Sequence, residues 1–229
     1  MTEKKELTAL VFGSSGLTGR FLVELLLKDP GYSHIKLFVR KEMKVYHGKI
    51  RQVVFNPDEI DIIIPEITGD QVFCCLGTTI KKAGSQHAFY KTDHDLVLSI
   101  ARAASFNSIP VFSVISSIGA DPKSRNFYLK TKGLMEVDLK MLNLINLNIF
   151  RPSLLLGMRS ETRLFEEVSK FLFKHFSFVF IGRFRKYRPV HAEIVAKAMI
   201  STAKEKQGVC IIESDKIEEI GASFNKVSF

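Results

Sequence analysis

The sequence predicts an α/β fold, a doubly wound and mostly parallel sheet with helices on both faces, built as a single domain over residues 1–229. Three observations lead there. Short, nearly continuous apolar runs recur along the chain, as parallel strands covered on both faces require. Segments with helical spacing separate several of them, and alternating strands and helices imply a doubly wound sheet. The composition, 46% hydrophobic and 25% charged, is that of an ordinary globular chain and excludes collagen-like, disordered and disulfide-scaffold classes.

The elements follow in order. Residues 7–12 (LTALVF) form the first apolar run and end at a glycine. Residues 18–28 then place Phe21, Leu22, Leu25 and Leu26 along one side of a helix. Further buried strands are predicted at 35–39, 52–55, 72–76, 111–115 and 148–150, with helices over 87–104 and 126–142. Pro110 and Pro152 mark element boundaries, and no repeat, linker or low-complexity segment interrupts the series.

Between the first strand and the first helix lies Gly13-Ser14-Ser15-Gly16-Leu17-Thr18-Gly19, a G-x-x-G-x-x-G spacing in the context that a dinucleotide site demands. The first glycine allows a sharp turn, the second lets backbone N–H groups approach a pyrophosphate, and the third brings helix close to strand. The phosphates then sit at the positive end of the helix. Gly13, Ser15, Gly16, Leu17, Thr18 and Gly19 are therefore the first cofactor-binding candidates of a Rossmann-type fold. The second strand should end at the adenosine ribose, where a carboxylate would accept from the 2′-hydroxyl of NAD. Here it ends in Arg40 and Lys41, and a guanidinium can hold a 2′-phosphate in a bidentate fork. NADP(H) is accordingly expected in preference to NAD(H), with Arg20 adding to the same pocket.

Tyr128 and Lys132 are four apart in a helical segment and project from one face. A tyrosine that exchanges a proton near neutrality needs a cation beside it to favour its phenolate. Tyr32 and Lys36 show the same spacing, but Tyr32 precedes the second strand and is far in sequence from any catalytic strand end. Tyr128 instead follows Ser116 and Ser117, which stand where the fifth strand leaves the sheet, and open α/β sheets bind ligands at such ends. A serine hydroxyl there suits a substrate carbonyl.

These segments resemble the short-chain dehydrogenase/reductase superfamily, specifically its atypical members similar to the Tat-interacting-protein-2-like oxidoreductases. The resemblance covers nearly the whole chain and rests on FGSSGLTGR (12–20), FCCLGTT (73–79), SSIGAD (116–121), YLKTK (128–132), FRPSLLLG (150–157) and PVH (189–191). It implies Tyr128 as general acid/base, Lys132 as the residue that binds the nicotinamide ribose and lowers the tyrosine pKa, and Ser117 as the carbonyl-polarising serine, with Ser116 as alternate. Leu76, Gly77 and Thr78 would line the path of the cofactor after the fourth strand, and Pro152, Ser153 and Leu154 would pass beside the nicotinamide. The region around 157–190 would cover the active site. Two positions depart from the pattern: Asp93 stands where extended relatives usually carry Asn, and Asn56 stands where an Asp commonly meets the adenine edge. The implied function is an NADPH-dependent oxidoreductase of carbonyl reductase type acting on a small molecule. The alternative is a regulatory protein that uses NADPH occupancy to control a protein contact without turnover.

Charge and cysteine content bound the partners. The balance of 33 basic against 24 acidic residues gives a net charge of +9, with the excess in the carboxy-terminal half. That permits nucleic acid, anionic membrane or a phosphorylated ligand. Residues 163–188 are basic and rich in phenylalanine, including Phe165, Phe171 and Phe173, and are read as lid or core in preference to a membrane anchor. The cluster 183–188 lacks any nucleic-acid-binding motif, so no nucleic acid is expected. No apolar run approaches the roughly 20 residues of a membrane span. A protein partner or homodimer is left open. Three cysteines, with Cys74 beside Cys75, offer no disulfide framework and no metal spacing, so no metal is expected. Adjacent in a strand, Cys74 and Cys75 should face opposite sides. The cysteine usage and the lack of a secretory apolar segment lead to the expectation of a cytoplasmic protein.

Overall fold

All strands of the main sheet run parallel in the computed structural model, which describes residues 6–156, 187–205 and 208–224. In chain order they are β1 (Leu7–Phe12), β2 (Tyr32–Val39), β3 (Ile50–Val54), β4 (Gln71–Cys74), β5 (Val111–Ile115) and β6 (Asn146–Arg151). A short parallel pair outside the sheet, β7 (Leu155–Leu156) and β8 (Val190–His191), precedes β9 (Val209–Glu213). The seven strands of the sheet are ordered β3-β2-β1-β4-β5-β6-β9. Chain direction across the sheet reverses between β1 and β4, so their carboxyl ends open a crevice at the topological switch point.

Each strand is flanked by helix. The described helices are α1 (Leu17–Lys28), the one-turn α2 (Ile80–Ala83), α3 (Gln86–Tyr90), α4 (Leu96–Phe106), α5 (Phe127–Lys140), α6 (Ala192–Ala203) and α7 (Ser214–Ser223). A π-helical turn, Lys91–Asp95, joins α3 to α4, so the single helix expected over 87–104 is one rod with a widened turn inside it. Burial on both faces accounts for the apolar runs. One core layer holds Leu10, Phe12, Phe38, Val72 and Cys74 against α4 and α5. The other holds Ala9, Val11, Leu37 and Phe73 against α1 and α6. Phe12 and Phe38 stack at 4.3 Å, with Phe55 edge-on to both.

Strand placement departs from expectation in several places, among them β3, at Ile50–Val54 against 52–55, β6, at Asn146–Arg151 against 148–150, and the unanticipated β7 and β8. β2 begins at Tyr32 instead of residue 35, so Tyr32 and Lys36 lie on a strand and not on a helix. The Tyr32 hydroxyl is buried and donates to Gln71 Oε1 at 2.7 Å, while Lys36 Nζ donates to Thr68 Oγ1 at 2.8 Å, so the second Tyr/Lys spacing is structural. β4 ends at Cys74, two residues before the expected end. β9 was not anticipated: as an edge strand with Val209 and Ile211 exposed, it lacks the fully buried run that marks central strands such as β4 and β5. Cys74 packs in the first core layer and Cys75 against the second, as strand alternation requires. Burial pushes the Cys74 thiol up to about 12, away from thiolate chemistry. Most of the expected lid, residues 157–186 with Phe165, Phe171 and Phe173, lies outside the described residues. Among those described, no helix is long and apolar enough to cross a membrane.

Candidate functional site

The glycine turn follows β1 and occupies the switch point. Gly13 has φ +82°, a backbone state that disfavours any side chain, and a Cβ placed there would lie 2.7 Å from the Cys75 carbonyl oxygen at the end of β4. A Cβ on Gly19 would run into the Gly13 backbone, so the first turn of α1 can close against the loop only with glycine. Gly16 N donates to Gly13 O at 2.9 Å, and Gly16 caps α1 with no side chain to spend on its leading N–H groups. This is the cradle that a pyrophosphate fits, with bare backbone donors at a helix start. Ser15 is exposed, Leu17 is partly buried and Thr18 is buried in α1. Arg20 Nε donates to the Ser15 carbonyl at 3.2 Å, which fixes the guanidinium over the loop. The pairing of Phe12 with Phe38 carries Arg40 and Lys41, both exposed, to the same sheet edge. Asn56 is used locally: its side chain accepts from Asp58 N and caps the following 3-10 turn.

Across the crevice, α5 begins under an Asn126 cap, whose side chain accepts from Leu129 N. Two residues later, the Tyr128 ring lies tilted against Phe89, with their centroids 5.5 Å apart. Lys132 is buried, and its ammonium donates to the Ile115 carbonyl at the end of β5 at 3.3 Å. Its Nζ also lies 2.8 Å from Asp93 Oδ1, and the other oxygen of that fully buried carboxylate accepts from Thr78 N at 3.0 Å. Burial alone would lower the Lys132 pKa, but the Asp93 carboxylate, joined by the charge that Tyr128 carries when ionised, more than offsets it and holds it above the usual lysine value. α5 comes this close because Gly133 faces the Asp121–Pro122 backbone where no side chain would fit.

The two serines part company. Ser116 is buried and donates to Glu136 Oε1 at 2.5 Å, and the same carboxylate takes two bonds from Arg151, at 2.9 and 2.6 Å. Arg151 reaches on to Glu213 at 3.0 Å. Ser117 is only partly buried, and among the described residues its hydroxyl makes one weak contact, 3.3 Å to the Ile118 carbonyl. Leu76 and Thr78 are half-buried and Gly77 is exposed along the segment after β4. Past β6, Pro152 accepts from Ile118 N at 3.0 Å, tying the two strand-end loops together. Ser153 is not free: its N–H donates to Ser214 Oγ at 3.1 Å and its hydroxyl to the Arg188 carbonyl. Leu154 is exposed. The geometry thus gathers Ser117, Tyr128, Lys132 and Thr78 around the carboxyl ends of β4 and β5. Glu136 and Arg151 are the participants that sequence reading missed, and Asp93 stands out there only as a departure from the usual Asn.

No family model matches the chain. Among curated proteins it is 34% identical over 160 residues to protein HTATIP2 of Rattus norvegicus, covering 68% of this chain and 66% of the rat protein. It is 35% identical over 201 residues to protein FMP52, mitochondrial, of Meyerozyma guilliermondii, covering 86% of this chain and 85% of that one. With FMP52, mitochondrial, of Saccharomyces cerevisiae the identity is 30% over 230 residues, 97% and 100% of the two chains. Solved structures share the fold: Bordetella bronchiseptica WbmH in complex with NAD+ has a TM-score of 0.70 at 14% identity, over 95% of this chain and 80% of that one. The Lactococcus lactis oxidoreductase ylbE has a TM-score of 0.65 at 16% identity, over 97% and 98%. These relatives correct one expectation. The fungal proteins are named mitochondrial, against the cytoplasmic location inferred from cysteine usage and the lack of a secretory segment. Reduced thiols suit the mitochondrial matrix as well as the cytosol, so that reasoning could not separate them.

Proposed function

The chain belongs to the family of HTATIP2 and FMP52, NAD(P)-binding atypical short-chain dehydrogenases/reductases, and from that premise we propose that it is an NADPH-dependent reductase of a small carbonyl compound. The observation that carries this reading is the buried Lys132 ammonium on the Ile115 carbonyl at the end of β5, with Tyr128 beside it on α5 and Ser117 two residues beyond Ile115, across the switch point from the glycine turn. In this reading the cofactor supplies a hydride to the carbonyl carbon. Ser117 donates a hydrogen bond to the carbonyl oxygen, and Tyr128 delivers the proton that completes the alcohol. Lys132 bonds the nicotinamide ribose and stabilises the phenolate that remains, until solvent reprotonates it. Arg40 and Lys41 favour the 2′-phosphate of NADPH over the bare hydroxyl of NADH. Ser116 is committed to Glu136, which leaves Ser117 as the serine of choice. The proposal extends to one domain with residues 157–190 covering the substrate, and to a mitochondrial location like that named for the fungal relatives.

The test is thermal unfolding with NADPH, NADH or neither. Ligand at 100 times its dissociation constant adds about 2.7 kcal/mol of stability. A larger shift with NADPH than with NADH is expected, followed by NADPH oxidation in a panel of carbonyl compounds. No shift with either nucleotide refutes the cofactor assignment. A shift without any turnover transfers the reading to a cofactor-occupied regulator.

A further inference from the structure

We propose that Asp93 is a positioning residue that holds the Lys132 ammonium charged and in place while tying the end of β4 to α5, so that the cofactor-facing loop and the proton-donating helix move as one unit. Its effect on turnover rests on the proposed roles of Tyr128 and Lys132; the lock itself does not.

The argument begins with burial. Lys132 and Asp93 are 2% and 0% exposed, so neither charge has water to fall back on. An isolated ammonium in such a place gives up its proton, and an isolated carboxylate takes one up. At 2.8 Å each supplies what the other lost. Among the described residues, the remaining groups around the ammonium are few. From β5 the Ile115 carbonyl accepts its hydrogen bond, from α5 comes the Tyr128 hydroxyl, and from β4 the Cys74 thiol. Neighbouring charges face elsewhere. His94 turns its ring nitrogens to Asp95 and Asp138, and Glu136 is spent on Ser116 and Arg151. Asp93 is therefore the carboxylate that answers for Lys132.

Its second oxygen gives the residue its wider reach. Oδ2 accepts from the Thr78 N–H, and a Cβ on Gly77 would lie only 3.6 Å from Oδ1, so the loop after β4 is packed onto the carboxylate. Asparagine here would keep the bond from Thr78 but carry no charge. The negative charge is what the ammonium requires.

The titration of Lys132 is read in the apoprotein by NMR of 13Cε-labelled lysine, with the signal assigned by its loss in Lys132→Met. In the wild type Lys132 is expected to stay protonated to a higher pH than the surface lysines. In Asp93→Asn it should titrate at least about one pH unit lower than in the wild type. NADPH affinity, followed by cofactor fluorescence against a chain without tryptophan, should then weaken as pH rises in Asp93→Asn but hold level in the wild type. Unchanged titration in Asp93→Asn overturns the proposal. A shifted titration with no NADPH binding in the wild type keeps the lock and removes the cofactor reading. If Asp93→Asn alone fails to fold, adding Lys132→Met should restore folding by removing the stranded ammonium. A double variant no more stable than Asp93→Asn overturns the pairing.

Discussion

Lys132 and Glu136 stand one turn apart on α5, both buried and both paired, yet their partners differ in kind. Lys132 meets a carboxylate from the π turn and a carbonyl at the strand end, and its near neighbour is Tyr128. Glu136 meets a serine and a guanidinium that goes on to Glu213 at the end of β9. The upper pair borders the crevice. The lower one fastens α5 to β5, β6 and the far edge of the sheet. A single helix therefore carries chemistry on one turn and architecture on the next, and substitutions should separate the two.

The largest expected effect is on the architectural side. Arg151→Ala strands the Glu136 carboxylate, and breaking such a buried pair costs about 3–5 kcal/mol, readable as a lowered midpoint in urea unfolding. If stability hardly changes, the lower pair is not a fastener and the contrast collapses. Tyr128→Phe should do the reverse, with turnover down about 10²–10⁴-fold while the melting temperature and NADPH binding stay near wild type. The serines sharpen the division. Ser116→Ala removes a hydrogen bond to a charged group and should cost about 1.5–3 kcal/mol of stability. Ser117→Ala should leave stability within about 0.5 kcal/mol and lower kcat instead. The smallest effect belongs to Arg40→Ala, which should narrow the gap between NADPH-induced and NADH-induced stabilisation by about 1 kcal/mol without touching either pair. An unaltered gap would clear Arg40 of any part in cofactor choice.

What could be read beforehand follows the same division. β1, the glycine turn and α1 are local in sequence, and their apolar run, glycine spacing and helical stripe all agree. β5 matches its expected limits because it is apolar throughout and buried on both faces. Tyr128 and Lys132 were legible because helical spacing alone brings them together. The lower pair was not. Within α5, Glu136 sits among Lys132, Asp138 and Lys140, a pattern that looks like a solvated face, and its partner Arg151 comes from another strand. Asp93 stood out only as a departure from the usual Asn, and its partnership with Lys132 spans a separation that no periodicity encodes. β9 escaped notice because an edge strand need bury only part of its side chains.

The widened turn at Lys91–Asp95 has a consequence for the spelling of the chain. In regular α-helix, successive side chains diverge by about 100° around the axis. Here Asp93 and His94, adjacent in sequence, both reach α5, one to Lys132 and the other to Asp138. The same turn sets Phe89 beneath Tyr128 on its upstream side and Val97 and Ile100 into the core downstream. It acts as a phase adjustment between two stretches of one rod. Deleting a single residue there would return the rod to ordinary α winding with its two stretches nearly in phase, at the cost of taking Asp93 or His94 off its partner on α5. That segment should therefore tolerate exchange of the exposed Lys91 side chain, yet neither the loss of Asp93 or His94 nor a change in the number of residues.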